Sequence, residues 1–202
     1  RNQQRKGRRR YNRPIPGDRV QFDVMKVGPR LYQYTAIDDC TRYRILALYP
    51  RRTAANSVDF LEKVQDEIPF PIQRVQTDRG LEFFAYAFQE KLMEYHIKFR
   101  PIRAGSPHLN GKVERSQRTD LDEFYATVDL SDPELPAKLE AWQDYYNCSR
   151  PHSSLWVIAP LGKFGSIKPQ LLRYLRKSLM PTMSHAKLFA TRTIPGIRAF
   201  KN

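Results

Sequence analysis

Residues 19–27 read RVQFDVMKV, and two comparable runs follow at 31–38 (LYQYTAID) and 43–49 (YRILALY). In the first run apolar and other residues alternate, which is typical of a β-strand with two different faces. This alternation places Asp23 on the face opposite Phe22. The connections between the three runs are short, and short connections predict an antiparallel meander. An acid at the centre of a strand is costly to bury alone, although such a strand can also turn that face to water.

Helices and two further strands follow the meander. The predicted order is a helix at 54–67 capped by Thr53, a strand at 72–77, a helix at 84–95, a strand at 97–100, a helix at 111–125 and a helix from Ser131 to about Asn147. A capping box of Ser131 and Glu134 supports the start of the last helix. The turn-forming residues 103–111 predict a mobile connection. Together these elements predict an α/β fold, with a mixed five-stranded sheet, its first three strands antiparallel, flanked by helices.

The basic residues are concentrated at the two ends of the chain. The net charge is +14, and residues 1–19 hold eight Lys and Arg against one acid. Residues 162–202 hold nine Lys and Arg and no acid, whereas the middle of the chain is nearly balanced. Basic arms of this kind neutralise phosphates without reading sequence, so we expect nucleic acid as the partner. Basic tails that serve only solubility are the alternative.

Several other classes of protein are disfavoured by the sequence. No run is long and apolar enough to span a bilayer, so we expect no membrane partner. The two cysteines suit a reducing cytoplasm, although a single bridge between them stays open. The four histidines do not cluster with cysteines at zinc spacing, and neither a glycine-rich phosphate loop nor a serine elbow is present.

Three acids occupy positions that could converge beside such a sheet. Asp23 lies in mid-strand, Asp78 ends the predicted fourth strand, and Glu114 lies on a polar helix face. Each of these acids, taken alone, has an ordinary structural interpretation. Together they suit phosphoryl transfer, because Mg²⁺ prefers carboxylate oxygens and a pair of ions can bind both the attacking and the leaving oxygen. Asp38 and Asp39 are equally eligible on physical grounds.

Four motifs in order resemble the DDE transposases of bacterial insertion sequences. The motifs are VQFDV (20–24), VQTDRGLEF (75–83), GSPHLNGKVERSQRTDLDEFY (105–125) and YYN-x-x-RPHSSL (145–155). These transposases share the integrase catalytic core with retroviral integrases. The thirty-five residues between Asp78 and Glu114 match the interval between the second and third acids of that family. The resemblance covers about residues 14–160.

The resemblance implies an RNase H-like fold in which Asp23, Asp78 and Glu114 are both the catalytic residues and the metal ligands. The expected cofactor is a pair of Mg²⁺ ions, which Mn²⁺ can replace. It also implies that residues around the third acid help to seat DNA: Asn110, Lys112, Arg115 and Arg118. Lys112 and Arg115 could donate charge-assisted hydrogen bonds to phosphate. Intrahelical pairing of Arg115 or Arg118 with acids such as Asp122 is the alternative.

The expected reaction is DNA cleavage followed by strand transfer. The expected partners are the element ends, the target DNA and further copies of the chain in a synaptic complex. We expect a bacterial, cytoplasmic, DNA-associated protein. Its expected segments are a basic arm at 1–13, an integrase catalytic core at 14–160 and a basic extension of unknown fold at 161–202. The arm includes Arg8, Arg9 and Arg10, which we expect to bind DNA.

Departures from the family pattern keep two alternatives open. Family members carry an upstream helix-turn-helix region, which the residues before Pro14 are too few to form, and Trp156-Val157 stand where a glycine is expected. The chain could therefore be an excised domain, or a truncated or repurposed core that binds DNA without transposing. A metal-dependent nuclease of the same fold is the other alternative.

Overall fold

The computed structural model describes residues 13–103, 110–152 and 159–160. Five strands form one mixed sheet: β1 (Val20–Gly28), β2 (Leu31–Asp38), β3 (Arg44–Tyr49), β4 (Arg74–Thr77) and β5 (Lys98–Phe99). Their order across the sheet is β3-β2-β1-β4-β5. The first three strands pair antiparallel, and β4 and β5 join in parallel. The predicted fold class is therefore confirmed.

Five α-helices accompany the sheet in the described residues: α1 (Ala54–Glu67), α2 (Leu81–Phe84), α3 (Tyr86–Glu94), α4 (Gly111–Asp120) and α5 (Leu135–Cys148). The α4 helix continues directly into a π-helical turn at Leu121–Tyr125. The Thr53 side chain accepts a hydrogen bond from the backbone N–H of Asn56, so the predicted cap of α1 is confirmed.

Two predicted helices differ from the structure. The helix expected at 84–95 is interrupted at Ala85, which has extended backbone angles. The last helix begins at Leu135, and the capping box predicted for Ser131 and Glu134 is wrong. The hydroxyl and the backbone N–H of Ser131 both donate to Asp129 instead. Pro133 also disfavours a helical conformation for the residue before it.

One face of the sheet is packed with apolar side chains. Val20 and Phe22 of β1 are fully buried against α1 and α3, where Phe60 and Phe88 contact the Phe22 ring at centroid distances of 5.4 and 6.4 Å. Burying an aromatic side chain of this size contributes about 1.5–3 kcal/mol. This face supplies the core that fixes the position of β1.

The opposite face is buried too, but its side chains are polar. Gln21 and Gln33 are at most 1% exposed beneath α4 and α5, so the alternation in β1 does not mark a face turned to water. At the centre of this layer, Arg44 Nη1 lies 2.7 Å from Asp120 Oδ1, and neither side chain is exposed. Arg44 also stacks on Tyr146, with its guanidinium carbon 3.4 Å from the ring centroid.

The α5 helix covers the outer edge of β3. Asn147 Oδ1 accepts from the Arg44 backbone N–H at 3.0 Å, and Asn147 Nδ2 donates to the Arg44 carbonyl at 2.7 Å. Gln143 Oε1 accepts from the Leu46 N–H at 2.6 Å. Side chains thereby provide the partners that a neighbouring strand would supply. The YYN part of the fourth motif therefore has a structural role.

We expect Asn147→Ala to lower the free energy of unfolding by about 2–4 kcal/mol, because it leaves a buried N–H and a buried carbonyl without partners. Urea denaturation would measure the loss. Glu140→Ala, on the exposed face of the same helix, is the matched control and should have little effect. Equal stability of the two variants would contradict the structural role of Asn147.

Candidate active site

The strand register brings Asp78 beside Asp23. Phe22 of β1 is paired with Thr77 of β4 in a parallel arrangement, so the next residue of each strand lies at the same level. Asp78 leaves the sheet at this point and accepts a hydrogen bond from the Gly80 N–H at 2.9 Å. This turn, which holds one oxygen of the carboxylate, fixes the direction of the Asp78 side chain.

The first turn of α4 brings Glu114 to the same place. The backbone N–H groups in the first turn of a helix have no acceptor within the helix. That of Val113 donates instead to Gln21 Oε1 at 3.2 Å. Gln21 lies two residues before Asp23 on the same face of β1. Gln117, one turn along α4, is buried and interacts with Asp23. Glu114 itself is exposed at the rim of the helix.

The surroundings of Asp23 disfavour its negative charge. Burial above all, and then the negative charges of Asp78 and Glu114, raise the pKa of Asp23 to about 7, although the Val24 backbone and Gln117 oppose this change. Within 13–103, 110–152 and 159–160, however, no three His, Cys, Asp or Glu side chains stand close enough together to hold a metal ion. Asp23, Asp78 and Glu114, which all lie in these ranges, therefore do not form a ready set of three ligands.

The donor set suits a hard divalent cation. Carboxylate oxygens are the preferred ligands of Mg²⁺, and a positive ion would relieve the repulsion that raises the pKa of Asp23. Carboxylates without their ion repel one another, and ion binding commonly completes such a site. The chemistry of these oxygen donors thus suits the divalent cation that the family resemblance implies.

The two alternative acids have structural roles. Asp38 is fully buried and accepts hydrogen bonds from the backbone N–H groups of Gly17, Cys40 and Thr41, and from the Thr41 hydroxyl. Asp39 is also fully buried and forms an ion pair with Arg19 at 2.6 Å. These contacts occupy both carboxylates within the fold, which disfavours Asp38 and Asp39 as metal ligands.

The residues predicted to contact DNA differ in their surroundings. Arg115 is exposed beside Glu114, whereas Arg118 is exposed but paired with Asp122 at 2.9 Å. Asn110 is buried at the start of α4, and its Oδ1 has no hydrogen-bond partner among the described residues. Lys112 contacts Asp39, and burial and the charge of Arg42 lower the pKa of Lys112 to about 8.

Other predictions fall outside the described residues. They concern the arm with Arg8, Arg9 and Arg10, the greater part of the 103–111 connection and the 161–202 extension. In the part of the chain that the structure describes, no helix has both the length and the apolar character to cross a membrane. Cys40 and Cys148 are both free thiols.

The sheet order β3-β2-β1-β4-β5, with three antiparallel strands followed by two parallel ones, is that of an RNase H-like fold. Two family models described as integrase core domain match residues 13–107 and 95–160. The chain therefore belongs to the integrase core domain family, which includes the integrase-type transposases.

Two curated relatives illustrate this membership. The 31.7 kDa protein of insertion element IS407 from Burkholderia multivorans is 27% identical over 152 residues, which are 69% of this chain and 50% of that protein. The integrase-like ORF3 protein of Spiroplasma virus SpV1-C74 is 27% identical over 159 residues, 70% of this chain and 44% of its own. The chain thus spans about half the length of these relatives.

Solved structures confirm the fold. An intasome of simian T-cell lymphotropic virus, in complex with the PP2A regulatory subunit B56 gamma, matches with a TM-score of 0.66 at 14% identity, over 77% of this chain and 57% of that one. The HTLV-2 integrase catalytic core domain, solved as a dimer with magnesium, matches with a TM-score of 0.55 at 19% identity, over 69% and 92% of the two chains.

The raised pKa of Asp23 makes a prediction about stability without metal. Because the pKa is raised from 3.8 to about 7, the stability that protonated Asp23 contributes is complete below pH 4 and is lost as the pH rises through 7. The free energy of unfolding of Asp23→Asn should therefore exceed that of wild type at pH 8 by up to about 4 kcal/mol. At pH 4 the two proteins should differ little. Urea denaturation in EDTA would measure this.

Asp66→Asn, at an exposed position of α1, is the matched control and should show no such pH dependence. An Asp23→Asn difference that is the same at pH 4 and pH 8 would mean that Asp23 is not in a site that disfavours its charge.

Proposed function

We propose that this chain is the catalytic core of a transposase that cleaves DNA and joins the released end to a target. The observation that carries the proposal is that Asp78, after a strand parallel to β1, and Glu114, on α4, both act through their charges on Asp23. Family membership and the insertion-element relatives support a role in DNA integration. The structures at low identity support only the fold.

The proposed chemistry consists of two in-line attacks on phosphodiesters. In the first, water attacks the phosphorus at the end of the element, the P–O3′ bond breaks, and a 3′ hydroxyl is released. In the second, that hydroxyl attacks a target phosphodiester, and the displaced target strand leaves with its own 3′ hydroxyl. Each step forms one P–O bond and breaks one, so neither step requires a covalent enzyme intermediate.

The three carboxylates would hold Mg²⁺ or Mn²⁺, and two ions are proposed. Such ions, when bound, lower the pKa of an attacking water or hydroxyl and offset the charge that develops at the scissile phosphate. The chain's own contribution is the fixed position of the acids: the buried sheet holds Asp23, the turn at Gly80 directs Asp78, and the attachment of α4 to β1 directs Glu114.

Contacts with DNA are proposed for the surface around this site. Arg115 lies on the exposed side of α4 beside Glu114, where a guanidinium can donate to a phosphate. The basic arm with Arg8, Arg9 and Arg10 and the basic extension after 161 would add contacts that do not depend on sequence. Assembly of several copies into a synaptic complex is part of the same proposal.

The direct test is a duplex oligonucleotide with a free 3′ end, incubated with the protein and Mn²⁺, with nicked and joined products separated on a gel. We expect wild type to cut and join, and Glu114→Gln to lose at least about 100-fold in rate, because a ligand of the ions is lost. Glu140→Gln, an exposed glutamate on α5, is the matched control and should behave as wild type.

The products separate the alternatives. Cut strands without joined strands would identify a nuclease of the same fold. DNA binding without cutting, in wild type and Glu114→Gln alike, would support the truncated or repurposed core. Cutting by both proteins would contradict the role of Glu114.

A second test concerns the two exposed arginines of α4. Arg115→Met should weaken DNA binding equally for all sequences and reduce the slope of log affinity against log salt by about one, because one phosphate contact is lost. Arg118→Met should have a smaller effect, since Asp122 already neutralises that guanidinium. Fluorescence anisotropy over a salt series would measure both. Equal slopes in wild type and Arg115→Met would exclude the contact.

A further inference from the structure

The two residues before Glu114 are both attached to the sheet. Val113 donates its backbone N–H to Gln21 Oε1 of β1. Lys112 Nζ donates to the backbone carbonyl of Asp39 at 3.0 Å and also contacts the Asp39 carboxylate. The first turn of α4 is therefore held at two points, one on β1 and one in the loop that follows β2.

The carboxylate that receives Lys112 is itself fixed. Asp39 is fully buried, and Arg19 approaches its Oδ2 through Nη2 at 2.6 Å and through Nε at 3.1 Å. The third nitrogen of Arg19, Nη1, donates to Gln76 Oε1 at 3.0 Å. Gln76 lies in β4, two residues before Asp78. A continuous series of polar contacts thus joins the helix that carries Glu114 to the strand that carries Asp78.

The surroundings of Lys112 do not suit a contact with DNA. Its side chain is only 18% exposed, and its ammonium lies against a carboxylate with no exposure at all. If a DNA phosphate bound the Lys112 ammonium, the contact with Asp39 would break and part of the Asp39 charge would lose its compensation. This is unfavourable, because breaking a buried ion pair is costly. Arg115, on the same helix turn, is exposed instead.

We propose that Lys112 is a positioning residue for the metal site. By binding Asp39 it holds the first turn of α4 so that the Glu114 carboxylate faces Asp23 and Asp78. This inference rests on the proposed function, and it replaces the role in seating DNA that the resemblance implies for Lys112. A residue that orients a ligand from outside its shell typically contributes 10–100-fold to metal affinity.

The test measures Mn²⁺ binding without catalysis, as the rise in melting temperature over a Mn²⁺ titration. Lys112→Met keeps the length of the side chain and removes its charge, and Arg19 still compensates Asp39, so we expect the variant to fold. Its half-saturating Mn²⁺ concentration should rise about tenfold. Its DNA affinity and salt slope, measured by anisotropy in EDTA, should equal those of wild type.

Two further variants probe the pair itself. Asp39→Asn should also raise the half-saturating Mn²⁺ concentration, and the double variant should be no worse than the more affected single variant, because both substitutions break the same contact. Lys138→Met is the matched control: it removes an exposed lysine on α5 that is paired with Asp132. Its Mn²⁺ response should match wild type.

Lys112→Arg keeps the test decisive if Lys112→Met does not fold. The planar guanidinium preserves the charge but not the geometry at Asp39, so positioning predicts weaker Mn²⁺ binding with intact DNA affinity. The proposal is overturned if Mn²⁺ binding is unchanged in the Lys112 variants, and all the more if Lys112→Met binds DNA less tightly with a shallower salt slope.

Failure of the proposed function would be seen separately. If wild type and Glu114→Gln respond identically to Mn²⁺, the three acids are not the metal ligands, and both proposals fall together. If wild type responds and Glu114→Gln does not, but the Lys112 variants behave as wild type, only the positioning role is wrong.

Discussion

The ion pair between Arg44 and Asp120 is the interaction on which the arrangement of the site depends. Both side chains are fully buried, and burying two charges is tolerated only when each is neutralised and hydrogen-bonded. Asp120 also accepts from Gln33 and Trp142, and Arg44 also donates to Ser116. The pair therefore locks the C-terminal end of α4 onto β2, β3 and α5, while Gln21 and Asp39 hold its N-terminal end. Glu114 is carried by a helix fixed at both ends.

Much of the fold could be predicted from local patterns. The period-two alternation of β1 and the short connections of the meander define three strands, and the spacing of the acids within four ordered motifs points to the site. These signals are local in the chain, or rest on a resemblance that spans most of it. The structure confirms the order of the elements, and the charges of Asp78 and Glu114 both act to raise the pKa of Asp23.

The sequence is least informative where a distant partner or a competing local contact decides. Nothing in the sequence near Asp39 shows that Lys112, seventy-three residues later, will bind it. The polar face of β1 looks like a solvent face because the helix that covers it lies far along the chain. At Ser131, the nearby Asp129 takes the hydroxyl that a capping box would have used. Pairing across long separations is set by the complete fold and not by the local sequence.

The side chains of Asn147 and Gln143 along the edge of β3 have a consequence for assembly. An uncovered edge strand offers its backbone groups to a strand of another molecule, which is a common route to unwanted association. Here the groups of Arg44 and Leu46 are already occupied, so this half of β3 offers no template for growth of the sheet. Copies of the chain that meet at this part of the edge would therefore make contact through the side chains of helix surfaces. Such contacts depend on the residues present, whereas backbone hydrogen bonds between two edge strands do not.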